Sequence, residues 1–598
     1  MAEKIRSREE IAREDTWAIE DLYASDEAWM QDLEKLKGLG AKLLEYAGKL
    51  SASAQTLLEY QKLGEEISVL LDSLANYAQR KSDEDTRNAV YQDLTGKLTK
   101  VWVQLGADTA FEVPELLSIS DEQMEAYYEA EPALNLYRRH FDSIRRKRAH
   151  ILSESEEKLL AMAGEMAGTP EEVYSLFADA DLTFRPALDA NGEEHPITQG
   201  SYIAAMESPD RTLRKNAFES LYAGFGAYKN TVAAMLAGQV KQLEFFSKAR
   251  NYASPLEASL DATEVPVSVY HELIEAVHQN MDKMHRYMRL RKKLLGVDEL
   301  HMYDLYTPLV AASEERIPFA EAKKTVAQAL GVMGERYGKI LQEGFENRWI
   351  DVYENTGKRS GAYSAGARVH PYVLLNYTGT LDSEFTLAHE MGHAIHSYLS
   401  NKTQPIVYSD YVIFVAEVAS TCNEALLMQH LLKTTTDKKQ RAYLINHFLE
   451  QFRTTLYRQT MFAEFELKMA ELSAQGVTLT ADVLCEEYRK LNALYYGEDV
   501  VLDEEIALEW ARIPHFYYNY YVFQYATGYA AAIALSEGIL REGEPAVERY
   551  LGFLSGGCSK SPIELLKGAG VDMTTAEPVN RALERFAKLL DEMEALTA

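Results

Sequence analysis

One short segment constrains the fold of this chain more than any other: His389-Glu390-Met391-Gly392-His393. Its two histidines are four residues apart, so an α-helix places both imidazoles on one face, where they can bind one metal ion at about 2.0–2.1 Å. Residues without polar side chains recur at spacings of three and four through and around this segment: Phe385, Ala388, Gly392, Ile395 and Leu399. This pattern predicts an amphipathic helix that carries half of a zinc site, with Glu390 directed at whatever else the metal holds.

A third ligand is needed, and the sequence offers two candidates. A metzincin would have a glycine and then a histidine where this chain has His396 and Leu399, so that pattern is excluded. The segment from residue 414 to 427 predicts a second helix, and it carries Glu417 and Glu424 two turns apart on one face. Both glutamates lie among apolar residues, where a carboxylate without a partner is costly. Spacing alone leaves both open as the ligand.

Four motifs together resemble the oligoendopeptidase F branch of the thimet oligopeptidase family, a family of gluzincin zinc metallopeptidases. The motifs are Gly357 to Ser364, Phe385 to His393, Ala416 to Glu424 and His515 to Tyr529. The resemblance implies one Zn²⁺ per chain, held by His389, His393 and Glu417. It also implies that Glu424 is a carboxylate supporting a ligating histidine, and that Glu390 is the general base.

The aromatic motif supplies the remaining catalytic groups that the resemblance implies. Peptide hydrolysis needs donors where the carbonyl oxygen becomes an oxyanion, and an imidazole or a phenol meets that need. His515 matches the histidine that the family uses for this purpose. Tyr521 and Tyr529 are the favoured tyrosines, while three others stay open: Tyr518, Tyr520 and Tyr525.

The substrate is expected to bind as an extended strand. By the resemblance, a peptide would pair with an edge strand of the enzyme, for which the segment from Gly361 through Ala362 and Tyr363 to Ser364 is the best candidate. Tyr518 and Tyr525 are further candidates for contacts with the peptide.

Composition favours a mainly α protein. The 598 residues include only 33 glycines and 16 prolines, and helical spacing of apolar residues recurs from the N-terminal part to the last segment, after Pro578. Asn191-Gly192 between two short extended runs predicts a β-hairpin, and residues 359–377 predict a small sheet next to the metal-binding helix. The resemblance implies a large two-lobed helical shell around a deep substrate channel.

Three consecutive regions are expected along the chain. Residues 1–115 form an N-terminal helical region. Residues 116–200 form a helical region that ends in the hairpin and is similar to the N-terminal part of oligoendopeptidase F. Residues 201–598 form the zinc metallopeptidase catalytic domain.

Charge and cysteine content limit the partners and the location. A formal net charge of −30 argues against nucleic acids and anionic membranes, because both need a basic face. No run approaches eighteen apolar residues, and the first residues, from Met1 to Ser7, lack the apolar stretch of a secretory signal. The three cysteines form no disulfide or metal-site pattern, which indicates a reducing compartment. We therefore expect a cytoplasmic protein. The resemblance implies oligopeptides as its substrates, and no obligate protein partner is evident.

The expected activity is zinc-dependent hydrolysis of internal bonds in short unfolded peptides. A zinc carboxypeptidase of related helical fold is the main alternative, and the position of cleavage in a defined peptide separates the two. A gluzincin aminopeptidase is disfavoured because the chain has no Gly-x-Met-Glu-Asn segment. A non-catalytic peptide-binding protein with structural zinc is least favoured, because structural sites usually fill all four positions with cysteine or histidine.

Overall fold

The computed structural model describes residues 5–310 and 316–598, so the first four residues of the N-terminal segment considered above lie outside it. Most of the described chain is α-helical, which confirms the mainly α class. The helices before residue 310 are α1 Asp26–Leu44, α2 Ala54–Glu84, α3 Ala89–Asp108, α4 Glu112–Ser118, α5 Asp121–Ala130, α6 Arg138–Arg146, α7 Glu154–Ala167, α8 Thr169–Leu176, α9 Gln199–Met206, α10 Arg211–Gly226, α11 Lys229–Ala249, α12 Pro255–Asp261, α13 Val267–His278 and α14 Met281–Leu295.

The remaining helices and the strands follow in chain order. The helices are α15 Phe319–Ala329, α16 Gly334–Glu346, α17 Leu381–Thr403, α18 Ile413–Thr434, α19 Lys438–Gln451, α20 Arg458–Ala474, α21 Ala481–Tyr496, α22 Phe523–Glu542, α23 Glu544–Leu554, α24 Pro562–Gly568 and α25 Glu577–Thr597. The strands are β1 Ala187–Leu188, β2 Glu194–His195, β3 Leu300–His301, β4 Ile350–Asp351, β5 Tyr363–Ala365, β6 Tyr372–Leu374 and β7 Val500–Val501. Within residues 5–310 and 316–598, every helix is too short or too polar to cross a lipid bilayer.

The chain folds into two compact units, and each unit is assembled from three separate segments. The first unit comprises Met1–Ala149, Glu315–Gln429 and Leu535–Gly570. The second comprises His150–Glu314, His430–Ala534 and Val571–Ala598. The three consecutive regions expected from sequence stay a prediction, because a unit defined by contacts and a region defined by motifs describe different properties of a chain.

In the first unit, helices α1, α2 and α3 pack around an apolar core. Ser25 and Ser53 precede α1 and α2, and their side-chain oxygens accept hydrogen bonds from the backbone N–H groups of Ala28 and Thr56. These caps satisfy donors that a helix N-terminus otherwise leaves unpaired. The buried residues recur at helical spacing: Trp29, Leu33, Leu36, Leu57, Leu70, Leu74, Leu94 and Leu98.

The first unit also contains the small sheet predicted ahead of the metal-binding helix. Its order is β4-β6-β5, with β6 parallel to β4 and antiparallel to β5, so β5 is an edge strand. The ammonium group of Lys358 is fully buried behind the sheet, where it pairs with the carboxylate of Asp351 at 2.7 Å. It also donates to the carbonyl oxygens of Tyr353 at 2.7 Å and Leu375 at 2.6 Å. Lys358 thereby connects β4, the following loop and the end of β6.

In the second unit, the predicted hairpin and the predicted last helix are both confirmed. Strands β1 and β2 pair antiparallel, with Ala187 opposite His195. Gly192 lies in the connecting turn at φ +83°, a left-handed conformation that glycine adopts readily. The predicted apolar face of α25 is buried along its length: Val579, Leu583, Phe586, Leu590 and Met593.

Candidate active site

Helix α17 carries the two histidines, and local sequence explains where it begins and which face it buries. Thr380 caps the helix, because its hydroxyl accepts a hydrogen bond from the N–H of Ser383. The predicted apolar stripe is buried: Phe385, Ala388, Gly392, Ile395 and Leu399. His389 and His393 lie beside that stripe and are partly exposed. The helix therefore presents two imidazoles at an accessible flank.

Gly392 lets helix α18 approach the histidines closely. A Cβ atom on Gly392 would lie 2.6 Å from the Cα of Ser420 and 2.7 Å from the carbonyl oxygen of Ala419. Contacts this short do not occur with a real side chain, so the crossing of α17 and α18 requires glycine here. This approach brings Glu417, on α18, to the two imidazoles.

Three ligand atoms converge at this crossing. The Nε2 atoms of His389 and His393 are 3.2 Å apart. The Oε2 atom of Glu417 lies 3.4 Å from the first of these nitrogens and 3.6 Å from the second. Tetrahedral zinc with bonds of about 2.0–2.1 Å separates its ligand atoms by about 3.3–3.4 Å. The three atoms are thus spaced as ligands of one zinc ion, and in the described part of the chain they are the one such cluster of His, Cys, Asp or Glu.

Glu424 lies on the opposite side of the His389 ring. Its carboxylate accepts a hydrogen bond from Nδ1 of His389. A proton on Nδ1 leaves Nε2 with a free lone pair, which is the form of imidazole that binds a metal. The structure therefore brings Glu417 to the Nε2 atoms of both histidines and Glu424 to Nδ1 of His389, a distinction that spacing in the sequence left open.

The charges of this donor set favour a cation. Burial alone lowers the pKa of His389, but the carboxylates of Glu417 and Glu424 raise it to about 10. Burial opposes ionisation of Glu417, yet hydrogen bonds with the two imidazoles hold its pKa well below the usual range. A divalent metal satisfies the imidazole lone pairs and the carboxylate charge at once, so these residues fit zinc.

Glu390 is buried next to the cluster, with only 6% of its surface exposed. Its Oε2 atom has no hydrogen-bond partner within residues 5–310 and 316–598, and burial raises the pKa of its carboxyl group. A buried carboxylate oxygen without a partner is costly, and at an enzyme site it indicates a group that acts on a water or a substrate. His396, one turn beyond His393, is instead fully buried and stacks on Tyr411 with ring centroids 3.8 Å apart.

Asn423 is a residue that the sequence analysis did not single out. Its side-chain amide donates to the carbonyl oxygen of Ala388 at 3.0 Å, and its side-chain oxygen accepts from the hydroxyl of Tyr337 at 2.7 Å. It therefore ties α18 to the backbone of α17 directly before His389. The available signal was a polar side chain at helical spacing from the apolar residues Ala419, Leu426 and Leu427.

The predicted substrate strand lies in the first unit. Tyr363 belongs to β5, and Gly361 and Ala362 directly precede it. The carbonyl oxygen of Gly361 accepts a hydrogen bond from the side chain of Asn376 at 2.8 Å, and the hydroxyl of Tyr363 donates to Asp83 on α2. The tyrosine is thus anchored to the helices behind the sheet while β5 forms the edge of the sheet.

The predicted oxyanion donors lie in the second unit. His515 follows Pro514 in a short 3₁₀ helix, and its ring is 5.5 Å from Tyr518, 6.3 Å from Tyr521 and 6.1 Å from Tyr525, between centroids. These four rings form one cluster. Tyr529 is buried on α22, with its ring edge-on to Phe452 at 5.0 Å. The roles assigned to these side chains stay predictions.

Comparisons with known proteins match this chain to peptidases along its whole length. The model of peptidase family M3 matches residues 204–585, and that of oligopeptidase F matches residues 115–184. The chain is 47% identical to oligopeptidase PepF of Bacillus subtilis, over 100% of this chain and 89% of that protein. It is 41% identical to an oligoendopeptidase F homolog of Lactococcus lactis, over 99% of this chain and 98% of that protein.

Solved structures agree as well. The oligoendopeptidase F of Enterococcus faecium is 38% identical, with a TM-score of 0.75 over 96% of this chain and 99% of that one. A peptidase candidate from Chlamydophila abortus is 36% identical, with a TM-score of 0.93 over 99% of this chain and 100% of that one. The chain therefore belongs to peptidase family M3, as a metallopeptidase of the oligoendopeptidase F type.

Proposed function

We propose that this protein is a zinc-dependent endopeptidase that cleaves internal bonds of short unfolded peptides. The observation that carries the proposal is the spacing of His389 Nε2, His393 Nε2 and Glu417 Oε2, at 3.2 to 3.6 Å, beside the buried carboxyl group of Glu390. A purely structural zinc site would give Glu390 no role, and its burial without a hydrogen bond would be an uncompensated cost.

His389, His393 and Glu417 would hold one zinc ion, and Glu424 keeps the His389 ring in the binding tautomer. Zinc, when bound, supplies a Lewis acid that polarises the scissile carbonyl and lowers the pKa of water. Glu390 takes the proton from the attacking water and returns it to the leaving amine as general base and then general acid. Its raised pKa suits this exchange, because a carboxyl group that titrates nearer neutrality can both accept and release the proton.

His515 and Tyr521 are the proposed donors to the oxyanion, with Tyr529 as a further candidate. Burial lowers the pKa of His515, so the ring is neutral at pH 7 and keeps one N–H group to donate. A neutral donor stabilises developing negative charge without repelling zinc. Tyr518 and Tyr525 belong to the same ring cluster and are proposed to contact the peptide.

The proposed substrate is an oligopeptide bound as an extended strand. Edge strand β5 offers backbone groups for such pairing, and Gly361 and Ala362 extend it toward the N-terminal side. The relatives named above as oligopeptidases and oligoendopeptidases support the same class of substrate. In the sequence, Cys422, Cys485 and Cys558 form no disulfide or metal-site pattern, which supports a cytoplasmic location, because reducing compartments disfavour disulfides.

One ten-residue peptide tests the proposal in free, N-acetylated and C-amidated forms. An endopeptidase needs neither terminal charge, so all three forms should be cut internally, and a chelator should stop the reaction. Glu390→Gln should retain zinc and lose cleavage of all three forms. Cleavage only of forms with a free C-terminus, one residue at a time, would assign the protein to the zinc carboxypeptidases instead.

A further inference from the structure

The loop that joins the 3₁₀ helix Pro514–Tyr517 to helix α22 has an unusual backbone. Asn519 has φ +57° and Tyr520 has φ +59°, so two consecutive residues with side chains lie in the left-handed region. That region is disfavoured for residues with a Cβ atom, and such strain persists only where surrounding contacts enforce it. The contacts that enforce it here are therefore informative.

The backbone turn decides which tyrosines are exposed. Tyr517 and Tyr520 are buried, while Tyr518 is 45% exposed. Tyr517 stacks on Tyr174 at 4.5 Å, and Tyr520 lies edge-on to Tyr270 at 5.8 Å. With these two rings anchored inward, Tyr518 and Tyr521, which directly flank the turn, join the His515 ring cluster.

Two buried polar side chains form hydrogen bonds with this loop. Gln239 on α11 donates to the carbonyl oxygen of Tyr517 at 3.0 Å and to the side-chain oxygen of Asn519 at 2.8 Å. Glu466 on α20 accepts the backbone N–H of Tyr520 at 3.0 Å. Together they bind Tyr517, two positions before the turn, and both residues in the turn.

Burial of the Glu466 carboxyl group costs free energy that only a specific contact can offset. Its surface is 6% exposed, and burial raises the pKa of its carboxyl group to about 8, with only the hydrogen bond from Tyr520 opposing that rise. Its second oxygen, Oε2, has no hydrogen-bond partner within the described residues. Burial, and after it the charge of Glu466, raises the pKa of the phenol groups of Tyr270 and Tyr520. An apolar residue would pack at this position without leaving an oxygen unsatisfied. The hydrogen bond from the Tyr520 backbone therefore accounts for a glutamate here.

We propose that Glu466 and Gln239 are positioning residues for the reaction, which hold the Asn519–Tyr520 turn and thereby fix Tyr518 and Tyr521 beside His515. The proposal rests on the proposed function, in which His515 and Tyr521 donate to the oxyanion. An oxyanion donor is effective only when it is held in place before the reaction, so a loosened turn should lower kcat more than it raises KM.

The test uses the full chain with zinc and compares Glu466→Met with Glu466→Gln. Methionine fills similar volume but removes the acceptor, whereas glutamine keeps an oxygen at the same place. We expect Glu466→Met to lower kcat by about 10-fold or more, with little change in KM, since removal of one oxyanion donor lowers kcat by roughly 10²–10³. Hydrogen exchange of peptides that contain the Tyr520 amide should accelerate. Glu466→Gln should restore both measurements.

Glu464→Met is the matched control. Glu464 lies on the same helix, but its carboxylate accepts hydrogen bonds from His278 and Tyr495 and not from the backbone of the turn. This variant should leave loop exchange and kcat unchanged. Gln239→Met removes the other support and gives a second test if Glu466→Met fails to fold.

Each outcome has a defined meaning. Faster exchange of the loop together with a lower kcat, at unchanged zinc content, supports the proposal. Unchanged exchange, or faster exchange with wild-type kcat, overturns it. Digestion of peptides by the wild-type protein tests the proposed endopeptidase activity alone. Hydrogen exchange of the loop in the variants is measured without substrate, so failure of the positioning proposal can be told from failure of the proposed activity.

Discussion

Gly392→Ala tests whether the helix crossing builds the metal site. The added Cβ would lie 2.6 Å from Ser420 Cα, 2.7 Å from Ala419 O and 2.8 Å from Ser420 N. All three are backbone atoms, so no rotation of a side chain can relieve the contact. Ordinary contact begins at 3.4 Å, and the two helices must therefore separate by about 0.8 Å.

This displacement is large for a metal site. Glu417 precedes Ser420 by less than one turn and moves with it, whereas metal–ligand distances tolerate only about 0.2 Å. We expect zinc affinity to fall by at least 100-fold, about 3 kcal/mol, because tenfold corresponds to about 1.4 kcal/mol. Overpacking should also lower the free energy of unfolding by about 1–3 kcal/mol.

Competition with a calibrated zinc chelator measures the affinity, and thermal melting of the zinc-free protein measures the stability. Gly338→Ala is the matched control, because Gly338 lies in helix α16 with open space where a Cβ would be. That variant should keep wild-type affinity and gain a little stability from higher helix propensity. Wild-type zinc affinity in Gly392→Ala would refute the argument that the close crossing positions Glu417.

Three further results are expected. Glu390→Gln should bind zinc as the wild type does but lose roughly 10²–10⁴-fold in kcat, measured by peptide cleavage, because the amide cannot act as a base. Glu417→Ala should lose most zinc affinity, whereas Glu424→Ala should lose roughly 10–100-fold; the reverse order in a zinc titration would make Glu424 the ligand. Burial raises the pKa of Glu466 from 4.5 to about 8, so between these values the folded state binds more protons than the unfolded state. Wild-type stability should therefore fall as pH rises from about 4.5 to about 8, relative to Glu466→Gln, in thermal melts across that range.

Features that depend on local sequence could be predicted. Helices α17 and α18, the Asn191-Gly192 hairpin and the apolar face of α25 all follow from short-range periodicity or turn chemistry. Each of these patterns is complete within about twenty residues, and the structure adds to them only the partner that they pack against.

Features that depend on distant residues could not be predicted. No local pattern marks Lys358, yet its ammonium group is buried against Asp351 and backbone carbonyls of the sheet. Gln239 and Glu466 are separated by more than two hundred residues and meet at one turn near Tyr520. Neither residue has a spacing pattern that marks it, because a hydrogen bond across a fold leaves no period in the sequence.

The choice between Glu417 and Glu424 depends on the same kind of information. Periodicity places both on one face of α18, but the crossing point at Ser420 separates them: one lies three residues before it and the other four residues after it. At about 1.5 Å per residue they lie roughly 4.5 and 6 Å from the crossing, in opposite directions along the helix. One carboxylate therefore reaches Nε2 of His389 and the other reaches Nδ1. A single imidazole is held between two acids, and the helix crossing, which only glycine permits at position 392, decides which acid lies beside Nε2 and which beside Nδ1.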